Sequence, residues 1–428
     1  KKVFNEEPSL DFKMFKNIDS IRQKFSGDDL LKGGLILFIL LNIFNFLNYF
    51  FQFSMARMLG PADYGVLAVL MSIIYIFSIP TEAIQNVITR YTSIFNRKKE
   101  FGKIKFMLFK SLRKSFFASL LLFLLFLPLS YFLSIFLKID FLVFAYLGLV
   151  IFFFFSLPIV RGVLQGEKKF SSLGVNLILD GLVKVSAAVS LVFLGWKVYG
   201  AISAILIGSL IAFLTAFFSL KDVLKVQKTG EEFKGIYFYS MPFFVSALSI
   251  FLIFSLDVIF ARRFFPPEIA GKYAVAAMLG RIIFFGTFAI SKAMFPIASE
   301  KHDSGDRNSY LLKKSLKIVG ILSFLILLFY LFLPEIVISI LFGSQYIEVS
   351  NILFILGLAL TFLSFTNVII LYGLAIGKIK NSSFSFLIFS FIEIILFYVF
   401  HSSLLEYTVA FLVVNFIMLV YSLFLIRR

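Results

Sequence analysis

The stretch ARMLGPADYGVLA, residues 56–68, returns in related form 205 positions later as ARRFFPPEIAGKYA, residues 261–274. Each stretch opens with Ala-Arg, continues to a proline and then reaches a glycine, Gly65 in the first and Gly271 in the second. Proline stops or restarts a helix, and glycine allows the close packing that follows it. We interpret the two stretches as the same turn in two halves of an internal repeat.

A second pair of stretches supports the repeat. RGVLQGEKK, residues 161–169, and GLAIGKIK, residues 373–380, each place two glycines four positions apart ahead of two lysines. Two pairs in the same order indicate two homologous halves of the chain. The apolar runs along the chain divide into membrane-spanning helices, six in each half. Because six is even, both halves begin on the same side of the membrane, and the repeats are parallel about an axis along the membrane normal. Such halves leave a central cleft between them.

The chain is too apolar for a soluble protein. Hydrophobic residues make up 60% of its 428 residues, and mean hydropathy is +0.97, whereas soluble domains are about 45–50% apolar. Apolar runs long enough to cross the hydrocarbon recur from Leu35 onward. We predict an all-α, polytopic membrane protein with twelve transmembrane helices in two parallel six-helix repeats around the cleft. The predicted helices are residues 33–55, 66–93, 111–137, 141–165, 172–195, 198–220, 237–262, 272–298, 314–342, 346–376, 382–401 and 404–426.

Basic residues are distributed unevenly between the two sides of this arrangement. With the N-terminus inside, thirty Lys and Arg residues fall on the cytoplasmic side, six outside and five within helices. The asymmetry follows the positive-inside rule and predicts that both termini are cytoplasmic. It also accounts for the net charge of +17, so we expect no nucleic-acid partner. The predicted segments are an N-terminal segment 1–32, six-helix bundles 33–220 and 237–428, and a charged cytoplasmic linker 221–236.

The first 32 residues lack the apolar run and cleavage site of a signal peptide, so we expect them to be mature and cytoplasmic. Apolar residues recur there at near-helical spacing, at Phe12, Phe15, Ile18, Ile21 and Phe25. This pattern predicts an interfacial amphipathic helix, with a disordered charged tail as the alternative. The chain has no cysteine, which excludes disulfides and cysteine-based metal or redox sites.

Residues 56–68 resemble the first external turn of Wzx-type polysaccharide flippases, which belong to the multidrug/oligosaccharidyl-lipid/polysaccharide (MOP) exporter superfamily. Residues 161–170 are similar to that family's turn after the fourth helix, and Asp257 with residues 261–274 resembles the matching passage of the second half. The resemblance covers the chain from about Leu30. It implies a flippase, not an enzyme, in a prokaryotic cytoplasmic membrane, which moves a polyprenyl-diphosphate-linked oligosaccharide to the outer leaflet by alternating access for cell-surface polysaccharide synthesis.

Nine charged residues of the predicted helices are candidates for positions inside the membrane, where a charge costs about 2.5–3.5 kcal/mol on insertion scales and usually faces protein, water or a substrate path. The basic residues, predicted to bind substrate in the cleft, are Arg281, Lys292, Arg90, Arg161 and Lys184. The acidic residues, predicted to line the cavity or bind a coupling ion, are Glu82, Asp257, Asp180 and Glu393. We predict no metal site.

Arg281 is the leading candidate for a cavity residue because it lies near the middle of its helix, too far from the headgroups to reach them. Lys292 follows three helical turns later, so both side chains project from nearly the same face. Asp257 on the preceding helix is a possible partner for Arg281, and a purely structural ion pair between them is the alternative.

The remaining candidates also leave alternatives open. Asp180 and Lys184 are one turn apart and would neutralise each other, for structure or for function. Arg90 and Arg161 lie close enough to predicted helix ends to snorkel to the headgroups instead of lining the cleft. Glu82 follows a proline that bends its helix, which suits a cavity wall, a cation site or a structural hydrogen bond.

This balance of charges fits an anionic lipid-linked sugar. Glycan hydroxyls need a polar cleft because burial without partners is costly, and a diphosphate attracts Arg and Lys while the prenyl tail stays in lipid. A cation-coupled multidrug exporter of the same superfamily, expected to present mainly carboxylates, is the alternative. We expect a monomer without cofactors, coupled to a sodium gradient, a proton gradient or the membrane potential.

Two other classes fit less well. A membrane glycan ligase or polymerase needs a catalytic group at the membrane face, and no predicted outside loop exceeds a dozen residues. His302 and His401 are predicted on opposite faces, and the sequence has no Walker-type loop, metal-ligand cluster or nucleophile elbow. The repeat and the scattered charges of both signs favour alternating access over a static channel.

Overall fold

The computed structural model describes residues 29–229, 241–303 and 310–427, and these ranges contain helices and turns but no strand. The α-helices in chain order are α1 (Asp29–Arg97), α2 (Phe101–Leu137), α3 (Phe141–Gly148), α4 (Ile151–Gly166), α5 (Phe170–Leu191), α6 (Lys197–Phe218), α7 (Lys221–Lys225), α8 (Met241–Phe264), α9 (Pro267–Asp303), α10 (Tyr310–Phe332), α11 (Pro334–Leu341), α12 (Ser350–Ala375), α13 (Leu387–Val399) and α14 (Leu404–Arg427). A π-helical turn, Val192–Trp196, joins α5 to α6, and 3₁₀ turns occupy Ser344–Val349 and Lys380–Phe386.

Glycine breaks divide two of the helical stretches. Among the described residues, ten stretches are long and apolar enough to cross a membrane, and two of them contain a break, at Gly60 and at Gly195. Their φ angles of 74° and 89° are ones that glycine adopts without strain. Phe53 before the first break and Tyr64 after it both contact the Phe342 ring, so the chain bends sharply there. Counting each divided stretch twice gives twelve crossings, and the predicted fold class is confirmed.

The predicted helix 314–342 is interrupted in the structure. Residues 314–342 were predicted as a single span, but α10 ends at Phe332 and the short helix α11 begins at Pro334. Proline is tolerated in the first turn of a helix because the amide it lacks has no partner there, whereas within a span it disrupts the hydrogen-bond ladder. Hydropathy alone did not reveal the break because α11 is also apolar.

Three helical segments are much longer than the membrane is thick. Residues 61–97, α2 and α9 each contain 37 residues, so each is about 55 Å long at 1.5 Å per residue. The hydrocarbon core measures only about 30 Å. The predicted spans 66–93, 111–137 and 272–298 were shorter because the additional turns carry polar and charged residues that a hydropathy pattern leaves outside the membrane.

The repeat-related glycines meet at one end of the bundle. A Cβ atom built on Gly65 would lie 3.0 Å from the Cα of Gly271, and one built on Gly271 would lie only 1.7 Å from the Pro61 carbonyl oxygen. The backbones of the two halves therefore touch with no room for a side chain. We call this the closed end, formed by residues 53–65 against residues 267–271 and 339–346, and we call the opposite end the open end.

Side chains add further contacts between the halves at the closed end. Arg57 donates hydrogen bonds to the carbonyl oxygens of Ser339 and Ile340 in the last turn of α11. The Tyr346 hydroxyl donates to the Ala56 carbonyl oxygen at 2.7 Å. Phe342 is fully buried, and its ring contacts that of Phe53 at a centroid distance of 5.0 Å. Hydrogen bonds and aromatic contacts therefore hold the first half against residues 339–346 of the second half.

The second glycine pair has different roles in the two halves. Gly162 and Gly166 allow α4 to pack closely on α1, where added Cβ atoms would collide with Ile88 and Thr92. Gly373 instead leaves room for Ile379, and Gly377 has a φ of 76° after the end of α12. The similarity of these stretches therefore reflects their position at helix ends more than a shared packing role.

Two predicted segments fall wholly or partly outside the described residues. The amphipathic segment 1–32 lies outside them except for its last four residues, and the linker 221–236 is described only to residue 229. Its first part contains α7, and the Lys105 ammonium donates to the Leu224 carbonyl oxygen at 2.6 Å. The exact bundle boundaries 33–220 and 237–428 remain predictions.

Candidate cleft between the two halves

A row of exposed polar side chains runs along the second half of α1 toward the open end. The row, which we call the polar stripe, consists of Glu82, Asn86, Arg90, Ser93 and Arg97. Their spacing of three or four residues places them on one helix face. Polar side chains exposed on one face of a membrane-spanning helix indicate a water-filled path rather than lipid. Arg90 lies seven residues before the end of α1, within this stripe.

The facing surface belongs to α9. Its exposed residues after the middle of the helix are Gly286, Ala289, Lys292, Ala293 and Ile297. These are small apart from the lysine and the isoleucine, and a Cβ atom added to Gly286 would meet nothing within 4 Å. The part of this wall whose side chains the structure describes therefore leaves space in front of it and carries a single charge, that of Lys292.

Glu82 and Lys292 connect the two walls. The Lys292 Nζ lies 2.5 Å from the Glu82 Oε1, and the side chains are 46% and 52% exposed for Lys292 and Glu82 respectively. The ammonium also lies 4.6 Å from the centre of the Phe288 ring. Because Glu82 lies on the polar stripe, Lys292 lies on the exposed face of α9 and the two side chains touch, we interpret these two surfaces as the walls of one cleft. The cleft begins at this ion pair and faces the open end.

Arg281 and Asp257 come together as the sequence suggested, but deep inside the protein. The Arg281 Nη2 lies 2.8 Å from the Asp257 Oδ1 and donates at 2.7 Å to the Phe254 carbonyl oxygen. The side chains are 3% and 1% exposed. Tyr273 donates a hydrogen bond of 3.4 Å to the other carboxylate oxygen. The pair is buried and its charges are balanced within the second half, although the Arg281 Nε has no hydrogen-bond partner among the described residues.

Aromatic rings separate this pair from the exposed part of the cleft. The Arg281 guanidinium stacks 4.7 Å from the centre of the Phe254 ring, which contacts the Tyr75 ring of the first half at 5.5 Å. Arg281 also precedes Lys292 by three turns on the side of the closed end. In this conformation Arg281 lies at the inner limit of the cleft, behind the contact between the halves, and does not line its exposed walls.

Arg161 is held inside the first bundle. Its Nη2 lies 2.8 Å from the Asp180 Oδ2, and its Nε donates at 2.9 Å to the Asn176 side-chain oxygen. Asn176 in turn donates to the Ala212 carbonyl oxygen and to the Thr215 hydroxyl. The network ties α4, α5 and α6 together, so Arg161 neither extends to the headgroups nor points into the cleft.

The suggested neutralisation of Lys184 by Asp180 requires correction. Within the part of the chain that the structure describes, no ion pair joins these two residues, and the carboxylate is bound by Arg161. Lys184 instead donates to the Asn48 side-chain oxygen and lies 5.5 Å from the centre of the Phe51 ring. The reason is that Asp180 points toward α4, whereas Lys184 reaches the first part of α1.

Glu393 is a buried carboxylate without a hydrogen-bond partner among the described residues. It is 0% exposed and both of its oxygens lack partners, as does the side-chain oxygen of Asn415. Phe397 contacts the rings of Phe260 and Phe411. One turn from that contact toward the open end, α13 carries Glu393, α14 carries Asn415 and α8 carries Asp257. Three oxygen-bearing side chains thus lie at the same level.

The sequence matches the model of the polysaccharide biosynthesis protein family over residues 54–351. The chain belongs to this family. The match includes the closed end, the polar stripe and the exposed face of α9, and it confirms the resemblance to polysaccharide flippases noted from residues 56–68. A comparison with curated proteins finds no match.

Solved structures with the same fold are transporters of the MOP superfamily. An inward-facing multidrug resistance MATE family transporter has a TM-score of 0.74 at 14% identity, over 92% of this chain and 98% of that one. An outward-facing MATE transporter has a TM-score of 0.60 at 16% identity, over 94% and 96%. A MOP transporter from Pyrococcus furiosus, whose binding pocket is described as having reverse polarity, has a TM-score of 0.61 at 16% identity, over 93% and 95%. At these identities the similarity establishes the fold of this polysaccharide biosynthesis family member.

The structure places the predicted site residues in two kinds of environment, and their roles in binding remain predictions. It brings Glu82, Lys292 and Arg90 to the cleft walls, and it places Arg281, Arg161 and Lys184 in internal contacts. Sequence reasoning missed Asn86, Ser93 and Arg97 as companions of Arg90. A signal for them was present, because polar residues recur every three or four positions from Glu82 to Arg97 within an otherwise apolar stretch.

Proposed function

We propose that this membrane exporter is a flippase that moves a polyprenyl-diphosphate-linked oligosaccharide from the cytoplasmic to the outer leaflet by alternating access. The observation that carries the proposal is the cleft between the halves, whose exposed walls contribute Arg90, Arg97 and Lys292. Only one carboxylate, that of Glu82, is found among the described residues of the polar stripe and the facing wall. Such a surface suits a diphosphate.

The orientation follows from the charge distribution. The open-end turns of the first half carry Arg97, Lys98, Lys99, Lys168 and Lys169, and the positive-inside rule places such turns in the cytoplasm. The cleft then faces the cytoplasm of a prokaryotic cell, and both termini lie on that side. In this orientation the conformation is ready to receive a lipid made on the cytoplasmic face.

The long helices give the headgroup a place outside the hydrocarbon. Residues 61–97 and α9 both extend beyond the roughly 30 Å core, and both contribute a cleft wall. Sugar hydroxyls and phosphates remain solvated between these walls, where burial without partners is avoided. The prenyl chain stays in the bilayer. The protein therefore needs no bound cofactor and no bond-breaking step, and a single chain supplies both walls.

Energy for outward movement is available from the membrane potential. Moving a headgroup of charge near −2 outward across a potential of about 100 mV, negative inside, is favoured by roughly 4–5 kcal/mol, at about 2.3 kcal/mol per charge.

Ion coupling at Glu393 is a further part of the proposal. An isolated carboxylate at that depth must be neutralised. A proton or a sodium ion bound at Glu393 would do this, and the unpartnered side-chain oxygen of Asn415 lies at the same level.

A flipping assay tests the proposal. The protein is reconstituted in liposomes with a fluorescent polyprenyl-diphosphate sugar, and movement between leaflets is followed by adding a membrane-impermeant quencher. We expect the protein to increase the rate over empty liposomes. Movement of organic cations such as ethidium without movement of the lipid would instead support the cation-coupled multidrug exporter, and hydrolysis or transfer of the sugar would indicate an enzyme.

A further inference from the structure

The ion pair between Glu82 and Lys292 differs from the other ion pairs within the spanning helices. Its side chains are about half exposed, whereas those of Arg281 and Asp257 are at most 3% exposed. An exposed pair contributes little to stability because water and ions compete with it. Its partners can therefore exchange for other groups at low cost, which the buried pairs cannot do.

The surroundings of Lys292 leave room for an anion larger than a carboxylate. On the exposed face of α9 its neighbours are Ala289 and Ala293, and a Cβ atom added to Gly286 would meet nothing within 4 Å. A bulky tetrahedral phosphate can approach the ammonium from this side. The Phe288 ring makes a cation–π contact with the ammonium and supplies no hydrogen-bond acceptor that would compete with a phosphate.

Glu82 is attached to a part of α1 that can bend. Pro80 lies two residues before it and removes one rung of the helical hydrogen-bond ladder. Side chains next to the proline bind carbonyl oxygens: Ser78 binds that of Tyr75 at 2.7 Å, and Thr81 binds that of Ser78 at 2.6 Å. The carboxylate can therefore move relative to Lys292 without disrupting the core of the first bundle.

We propose that the Glu82 carboxylate is a built-in substitute for the lipid phosphate. Without substrate, the Glu82 carboxylate is paired with the Lys292 ammonium. A phosphate or diphosphate on a prenyl lipid displaces the carboxylate and binds the ammonium in its place. The exchange breaks the ion pair between the two walls when the headgroup binds, and the pair forms again after release. A neutral lipid leaves the pair intact. This inference rests on the proposed function and names its anion-binding residue.

The test is a comparison of two substitutions that break the same ion pair. Binding of farnesyl diphosphate to the purified full chain is measured for the wild type, Glu82→Gln and Lys292→Gln. Exchange predicts opposite effects. Removing the competing carboxylate tightens binding about two- to sixfold, the range expected when an exposed ion pair occupies the lysine most of the time. Removing the ammonium weakens binding about tenfold or more, as for a lost charge-assisted hydrogen bond.

Matched controls isolate the exchange from other effects. Glu335→Gln and Lys138→Gln make the same charge changes on exposed residues outside the cleft and should leave binding unchanged. Farnesol lacks phosphate and should bind all variants alike, whereas phosphatidylglycerol or inorganic diphosphate competing as well as farnesyl diphosphate would show an unselective anion site and overturn the assignment to prenyl lipids. If Glu82→Gln and Lys292→Gln shift binding in the same direction, the pair is a structural link and the inference fails. If the wild type does not bind farnesyl diphosphate, the proposed function itself fails.

Discussion

Gly65 and Gly271 occupy corresponding places in the two halves, and their backbones pack directly against each other, with only 3.0 Å between a Cβ atom built on the first and the Cα of the second. Contact between repeat-related positions is expected where two parallel halves meet near their symmetry axis. The closed end is thus sealed by backbone contact, and any side chain at either position would hold it apart.

Substitution of Gly271 should prevent the closed end from sealing. A Cβ atom there would lie 1.7 Å from the Pro61 carbonyl oxygen, so Gly271→Ala should shift the protein toward a conformation open at this end, with Gly65→Ala having a weaker effect. The chain has no native cysteine, so spin labels at Lys98→Cys and Lys313→Cys report the separation of the halves at the open end by pulsed electron paramagnetic resonance. We expect shorter distances in Gly271→Ala.

The control for that experiment is Gly320→Ala. An alanine there would make an ordinary contact of 3.5 Å with Phe365. It would favour the helical conformation by about 1 kcal/mol relative to glycine. Its distance distribution should match that of the parent protein. An unchanged distribution in Gly271→Ala, with the fold retained, would show that the glycine contact does not determine the conformation.

Loss of Arg281 should act mainly on stability. Removing one partner of a buried ion pair leaves an uncompensated charge and costs about 3–5 kcal/mol, so Arg281→Met should lower the thermal unfolding temperature in detergent. The double variant Arg281→Met with Asp257→Leu should recover much of the loss. Equal stability of the single variant and the wild type would mean that the pair is not the structural element described here.

Arg90 should contribute to headgroup binding from the opposite wall. Because it is exposed on the polar stripe, Arg90→Gln should weaken binding of a prenyl diphosphate by about three- to tenfold, consistent with a partly solvated charge-assisted contact. Thermal stability should be unchanged. Lys138→Gln is the matched control, and an effect of equal size in both variants would indicate a general dependence on net charge.

Glu393 should determine whether transport responds to an ion gradient. Lipid flipping in proteoliposomes is measured with a sodium gradient, with a proton gradient and with neither, for the wild type, Glu393→Gln and the exposed control Glu335→Gln. One gradient should stimulate the wild type and the control, and the stimulation should be lost in Glu393→Gln because a neutral amide neither needs nor holds a neutralising cation. Persistent stimulation in Glu393→Gln would exclude this residue as the coupling site.

Much of the fold was predictable because lipid imposes simple rules. The lengths of the apolar runs and the proline and glycine residues between them predicted the twelve crossings. The similar stretches around Gly65 and Gly271 predicted the two halves. The projecting turns of α1, α2 and α9 were missed because they lie beyond the hydrocarbon, where hydropathy gives no signal. The α10–α11 break was missed because both of its sides are apolar.

The site was less predictable because its contacts are long-range. Asp180 has Lys184 one turn away, yet its partner is Arg161 on a different helix. Glu82 and Lys292 are 210 residues apart, and no local pattern indicates which of several buried or exposed charges will meet. Residues on one helix face can also differ in burial. Arg281 and Lys292 share a face of α9, yet Arg281 is buried and Lys292 is exposed.

The central claim is that the basic cleft carries a lipid-linked diphosphate, and flipping of a fluorescent polyprenyl-diphosphate sugar by Lys292→Gln tests it most directly. Wild type and Lys138→Gln, reconstituted at equal density and with equal thermal stability, should move the lipid at similar rates, and Lys292→Gln should move it about tenfold more slowly or not at all. Equal rates for Lys292→Gln and wild type, or no movement by wild type, would contradict the account.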